Sequence, residues 1–283
     1  MADRYIQLSQ GHLNLFSLCP RKFQHAYLEQ LGSAVSLEQY AQQQWGTRFH
    51  QLMQQRELGL PIELLVQADV QLDRCLTAFL QAAPDILTLD PDRPAQRFRQ
   101  SEHQRSLTAN RYLLVVVYDL LIADRYNAQI LDWKTYARPR NQRWLEDNWQ
   151  TRLYPFVLAE TSPYAPEQIS MTYWFVQSQA ESCDRVPEPQ CLRFPYHTAA
   201  HEKTRHDLNG LLSQLSNYLE RYQDAKEPLP QIEESQGHCL TCPFARRCQR
   251  QYSPHPKTAN LVSDPTAEDT AFPDLADIAE VVL

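Results

Sequence analysis

Stretches with apolar residues at helical spacing fill the two ends of this chain, and runs of β-branched and aromatic residues fill its middle. Residues 9–31 carry Leu13, Leu15, Phe16, Phe23, Tyr27, Leu28 and Leu31 at intervals that suit a helix. Pro20 interrupts this run and fits the first turn of a second helix. Residues 38–58, with Tyr40, Trp45, Phe49 and Leu52, predict another helix, and residues 64–82 a further one. A connector rich in Pro and Asp, 84–94, leads into a strand region over 98–134. Residues 148–160 then read as a helix, 169–177 as a strand and 191–194 as a short strand. A long amphipathic helix is expected over 201–224, with Leu208, Leu211, Leu212, Leu215, Tyr218 and Leu219 on one face. No internal repeat is present.

Within the strand region, residues 115–136 (VVVYDLLIADRYNAQILDWKTY) read as a hairpin, because Asp124-Arg125-Tyr126-Asn127 is a polar break suited to a turn. Facing residues of an antiparallel pair have positions that sum to a constant. A turn centred between Arg125 and Tyr126 sets that sum at 251, which makes Asp119 face Asp132. Their Cβ atoms are then expected about 4.5–5.5 Å apart. Alternation returns Lys134 to the face of Asp132. Residues 113–121 are nearly all apolar except Asp119, the pattern of a strand covered on both faces. A buried aspartate needs a partner, a metal or a raised pKa. A structural ion pair with Lys134 is one reading; a cation site is the other, and the apolar surroundings favour it.

Charge changes the picture only through its distribution. The net charge is −7, but no Lys or Arg follows Lys257, and Asp264, Glu268, Asp269, Asp274, Asp277 and Glu280 hold six of those charges. The remaining body is close to neutral. Its arginines cluster at Arg93, Arg97, Arg99 and Arg105, at Arg138, Arg140 and Arg143, and at Arg246, Arg247 and Arg250. Phosphate recognition needs such local positive potential rather than a basic protein. The alternative for the first and third clusters is scattered, solvated arginines. Residues 254–283 form an acidic tail expected to be disordered, in which Phe272, Leu275, Ile278 and Val282 could line a short docking helix. No apolar run approaches the roughly 20 residues of a membrane helix. The N-terminus lacks the pattern of a secretory signal, so a cytoplasmic location with reduced thiols is expected.

Four of the seven cysteines have an informative arrangement. Near the C-terminal end Cys239, Cys242 and Cys248 stand in CxxC and Cx5C spacing, and Cys19 in LCPRKF is the candidate for a fourth ligand. Thiolates select zinc or iron–sulfur clusters. Zinc ribbons usually use two CxxC pairs, so the one-plus-three layout favours a cluster, with zinc and unliganded thiols as alternatives. Such a centre would join the N- and C-terminal segments. Cys75, Cys183 and Cys191 have no connecting spacing.

Together these residues resemble the RecB-like branch of the PD-(D/E)xK nucleases, in particular the members with an iron–sulfur staple, the AddB nuclease domain and the small nucleases of CRISPR adaptation. The resemblance spans residues 9–248. It is carried by Cys19, His50 in GTRFH, Asp119, the triplet Asp132-Trp133-Lys134, the pair Gln150 and Tyr154, and the three late cysteines. It implies an α/β fold with a restriction-endonuclease-like mixed sheet flanked by helices, in one nuclease domain over 1–253. It implies Mg²⁺ or Mn²⁺ held by Asp119, Asp132 and the main-chain carbonyl of Trp133, with His50 and Glu102 beside it. Lys134 would orient or deprotonate the attacking water, Gln150 and Tyr154 would act near the strand, and a 4Fe–4S cluster would sit on Cys19, Cys239, Cys242 and Cys248. The chain departs from the family pattern at Val116, where glycine is usual, and at Tyr118, where the nominal motif has proline.

The implied activity is metal-dependent hydrolysis of DNA, as an exonuclease on single strands or ends in repair or recombination. No GxxxxGK[ST] motif occurs, so unwinding would fall to a helicase partner, or the enzyme would act on ends already opened; a repair or CRISPR-adaptation protein is the other partner implied. The alternative is a non-catalytic iron–sulfur DNA-binding or scaffold subunit. Retention of Asp119, Asp132 and Lys134 together argues against that.

Overall fold

The computed structural model describes residues 5–32, 36–83, 98–139, 141–176 and 189–251. The connector at 84–94, the tail, Arg93, Arg97, Arg140 and Cys183 lie outside the described residues. The strands are β1 (Ile6–Leu8), β2 (Phe98–Ala109), β3 (Tyr112–Ala123), β4 (Ala128–Lys134), β5 (Ile169–Phe175) and β6 (Gln190–Pro195). The helices are α1 (Gln10–Leu18), α2 (Pro20–Phe23), α3 (Leu37–Glu57), α4 (Glu63–Ala68), α5 (Val70–Ala82), α6 (Gln142–Asp147), α7 (Trp149–Glu160) and α8 (Thr198–Ala225). Two compact units are formed, one from Met1–Gln10 and Tyr40–Asp207 and the other from Gly11–Gln39 and Leu208–Leu283.

The first unit holds a six-stranded mixed sheet. β2 runs antiparallel along one edge of β3. The other edge of β3 is shared, with β1 parallel to it at Tyr112, Leu113 and Leu114 and β4 antiparallel to it from Leu120 to Ala123. Among the described residues, 115–119 therefore have no strand partner on that edge, and Asp119 sits at the fork. β5 continues parallel to β4, and β6 closes the sheet antiparallel to β5.

Helices cover both faces of this sheet. Phe49, Leu52 and Met53 of α3 and Leu72, Cys75, Leu76 and Phe79 of α5 pack on Leu120, Leu131, Trp133 and Trp174. Each such large apolar side chain contributes about 1.5–3 kcal/mol through burial. α7 lies on the opposite face, where Thr151 and Tyr173 share a hydroxyl hydrogen bond of 2.8 Å. β4 and β5 obey strand alternation: Leu131, Trp133 and Trp174 face α3 and α5, whereas Asp132 and Tyr173 face α7.

β2 and β3 do not keep one alternation along their length. Arg99 pairs with Glu57 of α3 at 2.6 Å, yet Arg105, six residues on, donates to the Thr161 carbonyl at the end of α7. Likewise Leu120 joins the α3–α5 core, while Tyr118 donates its hydroxyl to the Tyr154 carbonyl of α7 at 3.0 Å. Both strands thus exchange faces between these positions without losing register, since Ser101 pairs Leu120 and His103 pairs Tyr118. The device is Glu102, which has φ +49° and is left out of the ladder opposite Asp119. A left-handed backbone at a non-glycine residue costs about 1–2 kcal/mol.

Local signals explain most element boundaries. Cys19 is extended, its sulfur accepts the Lys22 N–H at 3.4 Å, and Pro20 opens α2 as expected. The single helix expected over 64–82 is instead two. Asp69 adopts φ −145° and accepts the N–H groups of Gln71 (3.0 Å) and Leu72 (3.1 Å), which starts α5 afresh. α6 was not anticipated from the sequence; Asn141 caps it. Asn148 caps α7 by accepting the Gln150 N–H at 2.8 Å.

In the second unit, the Phe16 ring lies 5.4 Å from Phe23 and 6.1 Å from Tyr218, and Leu208, Leu212, Leu215 and Leu219 of α8 are buried. Arg21 donates to the Leu229 carbonyl at 2.6 Å and the Gln24 side-chain Oε1 accepts the Leu229 N–H at 2.7 Å. Among the described residues, no helix is long and apolar enough to cross a membrane.

Candidate active site and a four-thiol cavity

The fork in the sheet is filled by side chains. The register expected from the hairpin holds as far as Leu120 opposite Leu131, and the ladder stops there. At the next step the Asp119 carboxylate, rather than a backbone carbonyl, accepts the Trp133 N–H at 2.6 Å. His50 of α3 completes the arrangement: Nε2 donates to the Trp133 carbonyl at 3.0 Å and Nδ1 lies 3.4 Å from Asp119 Oδ1. Gly46, one turn earlier on the same helix face, permits the approach of α3, because a Cβ there would meet Thr135 Oγ1 at 3.0 Å. The turn of backbone at Glu102 brings its carboxylate to the same place, and ligand atoms of His50, Glu102 and Asp119 lie within 4.8 Å of one another.

Asp132 is 2% exposed and is not a member of that close group. Its Oδ1 lies 2.5 Å from Lys134 Nζ, and its Oδ2 accepts from Gln150 Nε2 at 2.6 Å. Gln150 Oε1 in turn accepts from Lys134 Nζ at 2.8 Å, so one amide bridges the acid and the amine. Tyr154, one turn further along α7, is buried with its ring 5.3 Å from that of Tyr118. Of the residues singled out in the sequence, His50, Glu102, Asp119, Asp132, Trp133, Lys134 and Gln150 converge, while the described contacts of Tyr154 are with Tyr118.

The electrostatics of the site are strongly perturbed. Burial works against charge on His50, but the Asp119 and Asp132 carboxylates carry its imidazole up to about 9. Burial also opposes charge on Asp119, which His50 and Lys134 nevertheless hold below the usual carboxylate range. Burial pushes Asp132 up to about 6, opposed by Lys134 and reinforced by Asp119. Glu102 rises to about 7 through burial and the neighbouring carboxylates. Lys134 resists burial because Asp132 lies beside it, and its value is raised. One excess of negative charge is thus shared over three carboxylates, the arrangement that a divalent cation neutralises.

Two tyrosines escaped sequence reasoning. Lys134 Nζ lies 5.2 Å from the centroid of the Tyr173 ring, a cation–π contact from the strand that pairs with β4. Tyr136 has a buried hydroxyl with no hydrogen-bond partner among the described residues. Both lie in stretches that read as plain core, and the only available signal was their distance of two residues or one strand from Lys134.

The described arginines of the first cluster are engaged within the fold, Arg99 by Glu57 and Arg105 by Thr161. In the third, Arg250 contacts Glu234 at 2.5 Å and Arg247 lies 3.9 Å from Glu29. These partners favour a structural reading over a phosphate site for both clusters.

In the second unit, Cys19, Cys239, Cys242 and Cys248 all line one partly open cavity, together with Lys22, Phe244 and Arg250. None of the four is in a disulfide. Burial pushes the Cys239, Cys242 and Cys248 thiols up. The cysteines expected to act together are therefore brought together, whereas Cys75 is buried in the α3–α5 core and Cys191 is exposed.

The sheet, its covering helices and the acid–lysine pocket belong to a known class. The family model of the PD-(D/E)XK nuclease superfamily matches residues 7–249, and the chain belongs to that superfamily. Among solved structures the chain is similar to a protein called SSO0001, at 12% identity and TM-score 0.37, covering 86% of this chain and 85% of that one. A candidate exonuclease from Eubacterium rectale is similar at 11% identity and TM-score 0.45, covering 87% of this chain and 88% of that one. A comparison with curated protein sequences finds no match.

Proposed function

We infer that this chain is a Mg²⁺- or Mn²⁺-dependent DNA nuclease of the RecB-like branch, acting on single strands or DNA ends in repair or recombination, with a 4Fe–4S cluster as a structural staple. The observation that carries the nuclease reading is the convergence of Asp119, His50, Glu102 and the Trp133 carbonyl beside the Asp132–Lys134–Gln150 triad. Carboxylate and carbonyl oxygens with one imidazole are a donor set suited to these hard cations. A cation held by them would polarise the phosphate and lower the pKa of its bound water.

The chain's own residues then divide the work. Asp119, Glu102 and His50, with Asp132 and the Trp133 carbonyl beside them, would hold the cation. Lys134 offsets charge on the scissile phosphate and orients the attacking water. Gln150 holds the Lys134 amine and the Asp132 carboxylate in mutual register, and Tyr154 backs that helix turn. Tyr173 supports the lysine from below. Cys19, Cys239, Cys242 and Cys248 supply four thiolates from one cavity, which fits a cluster.

A nuclease assay on labelled single-stranded DNA with Mg²⁺ or Mn²⁺ tests this reading. Wild-type protein should degrade the strand, and Asp132→Ala and Lys134→Ala should not. Wild-type turnover no higher than that of both variants would leave a non-catalytic DNA-binding subunit as the better account. Degradation of labelled RNA in preference to DNA would overturn the substrate assignment alone.

A further inference from the structure

The four-thiol cavity has a neighbour that neither nuclease chemistry nor the cysteine spacing uses. His25, in the π-helical turn Gln24–Leu28 that follows α2, is a buried residue with only 4% exposure. Its Nε2 lies 3.7 Å from Cys248 Sγ, within hydrogen-bond range for sulfur. On the other side of the ring, Nδ1 lies 2.8 Å from Glu29 Oε2. Glu29 is itself held by Gln24 Nε2 at 2.6 Å, and Gln24 is fixed through its bond to the Leu229 N–H. The π-helical turn matters here. It places His25 and Glu29 on one face while the Glu29 N–H closes on the Gln24 carbonyl at 2.9 Å.

We propose that His25 is a positioning residue of the four-thiol centre, which donates a hydrogen bond from Nε2 to the Cys248 sulfur and is oriented by Glu29. This rests on the reading of the cavity as a metal-cluster site. Three features support it. The ring is buried and locked at both nitrogens, so its orientation is not left to chance. A carboxylate–imidazole–ligand chain is the arrangement by which proteins hold a ligand atom and adjust its electron density. The Glu29 carboxylate and the Cys248 sulfur lie at opposite nitrogens of one ring, so the two contacts together fix its plane and aim Nε2 at the sulfur. Hydrogen bonds to cluster sulfurs set reduction potential, because an N–H aimed at sulfur stabilises the more negative, reduced state.

The bland account is a core histidine packed on Phe244, whose ring centroid lies 5.3 Å away. Packing and positioning predict different measurements. Full-length protein is purified anaerobically as wild type, His25→Leu, His25→Gln and Glu29→Gln. Metal content is determined, and loss of the visible absorption is followed in an excess of chelator. The midpoint potential is measured in the same preparations.

His25→Leu should lose its metal about tenfold faster than wild type and shift to a lower potential. His25→Gln keeps a donor and should recover part of both effects. Glu29→Gln should fall between His25→Gln and wild type. Equal rates and equal potentials across the series would overturn the proposal while leaving the cluster reading intact. If wild type instead carries zinc, the cluster reading fails, and faster zinc loss from His25→Leu would still support the role of His25. Wild-type protein with neither iron nor zinc overturns both. Should His25→Leu fold poorly, the Gln variants decide the matter by the same two readouts.

Discussion

The acid–lysine pocket and the four-thiol cavity are both proposed to hold cations, yet they are built in contrasting ways. The pocket draws on α3, β2, β3, β4 and α7, and its polar groups are already bonded to one another: Asp119 to Trp133, His50 to Trp133, and Gln150 to both Asp132 and Lys134. The cavity takes three of its four sulfurs from ten consecutive residues, and none of the four is in a disulfide. The pocket's groups are held in place by these bonds to one another. The centre proposed for the cavity would add a further tie between its segments, so binding and local folding would be coupled there. Removing a ligand should therefore cost activity in one region and stability in the other.

The sharpest way to break this contrast is to remove one group from each. Asp132→Ala or Lys134→Ala should lower DNA hydrolysis by about 10³-fold or more with little change in Tm, checked by turnover and thermal melting. Equal losses of Tm at both sites would mean that the pocket is not preorganised. Cys242→Ser should do the reverse. It should abolish the visible absorption expected of the proposed cluster and lower Tm by more than about 5 °C, with residual hydrolysis in the fraction that stays folded.

Proton uptake separates the two regions further. In the metal-free protein the His50 imidazole is raised from 6.5 to about 9, so its contribution to stability is complete below 6.5 and is lost as pH rises through about 9. His50→Gln should accordingly destabilise metal-free protein more at low pH than above about 9, as read by denaturant midpoints. The same proton competes with a cation, as do those on Glu102 (about 7) and Asp132 (about 6). Mn²⁺ affinity, measured by titration calorimetry, should rise steeply between pH 6 and 9, by about tenfold per pH unit for each proton displaced. A flat profile would remove these groups from the coordination sphere. The smallest effect is expected from Gly46→Ala. The gain in helix propensity, about 1 kcal/mol, is offset by the contact with Thr135, so Tm should barely move while turnover falls a few-fold.

Much of this was legible along the chain, for reasons that differ between residues. The pairing of Leu120 with Leu131 follows from turn position alone, because register is a counting rule. Pro20, the apolar faces of α3 and α8 and the convergence of four cysteines were equally readable. The division of the 64–82 helix at Asp69 was missed because an aspartate is ordinary on a helix surface until its cap geometry is seen. The reversal at Glu102 was invisible for a deeper reason. Left-handed backbone is signalled by Gly or Asn, and a glutamate held there is stabilised only by the tertiary structure around it. The counting rule also assumed that the ladder continues, whereas the Asp119 side chain terminates it. Asp132 therefore faces the Gln150 amide and the lysine, and the tightest cluster is completed by Glu102 instead.

The crossover of β2 and β3 between the two helical layers has a consequence for how this protein can change over time. Lengthening the hairpin tip at Asn110 and Arg111 leaves every pair below it untouched. One residue inserted or deleted between Ser101 and His103 is different, because it would turn Arg99 or Arg105 toward the wrong layer and strip either Glu57 or Thr161 of its bond. Homologous chains should accordingly vary freely in length at that tip and hardly at all three turns of pleat away.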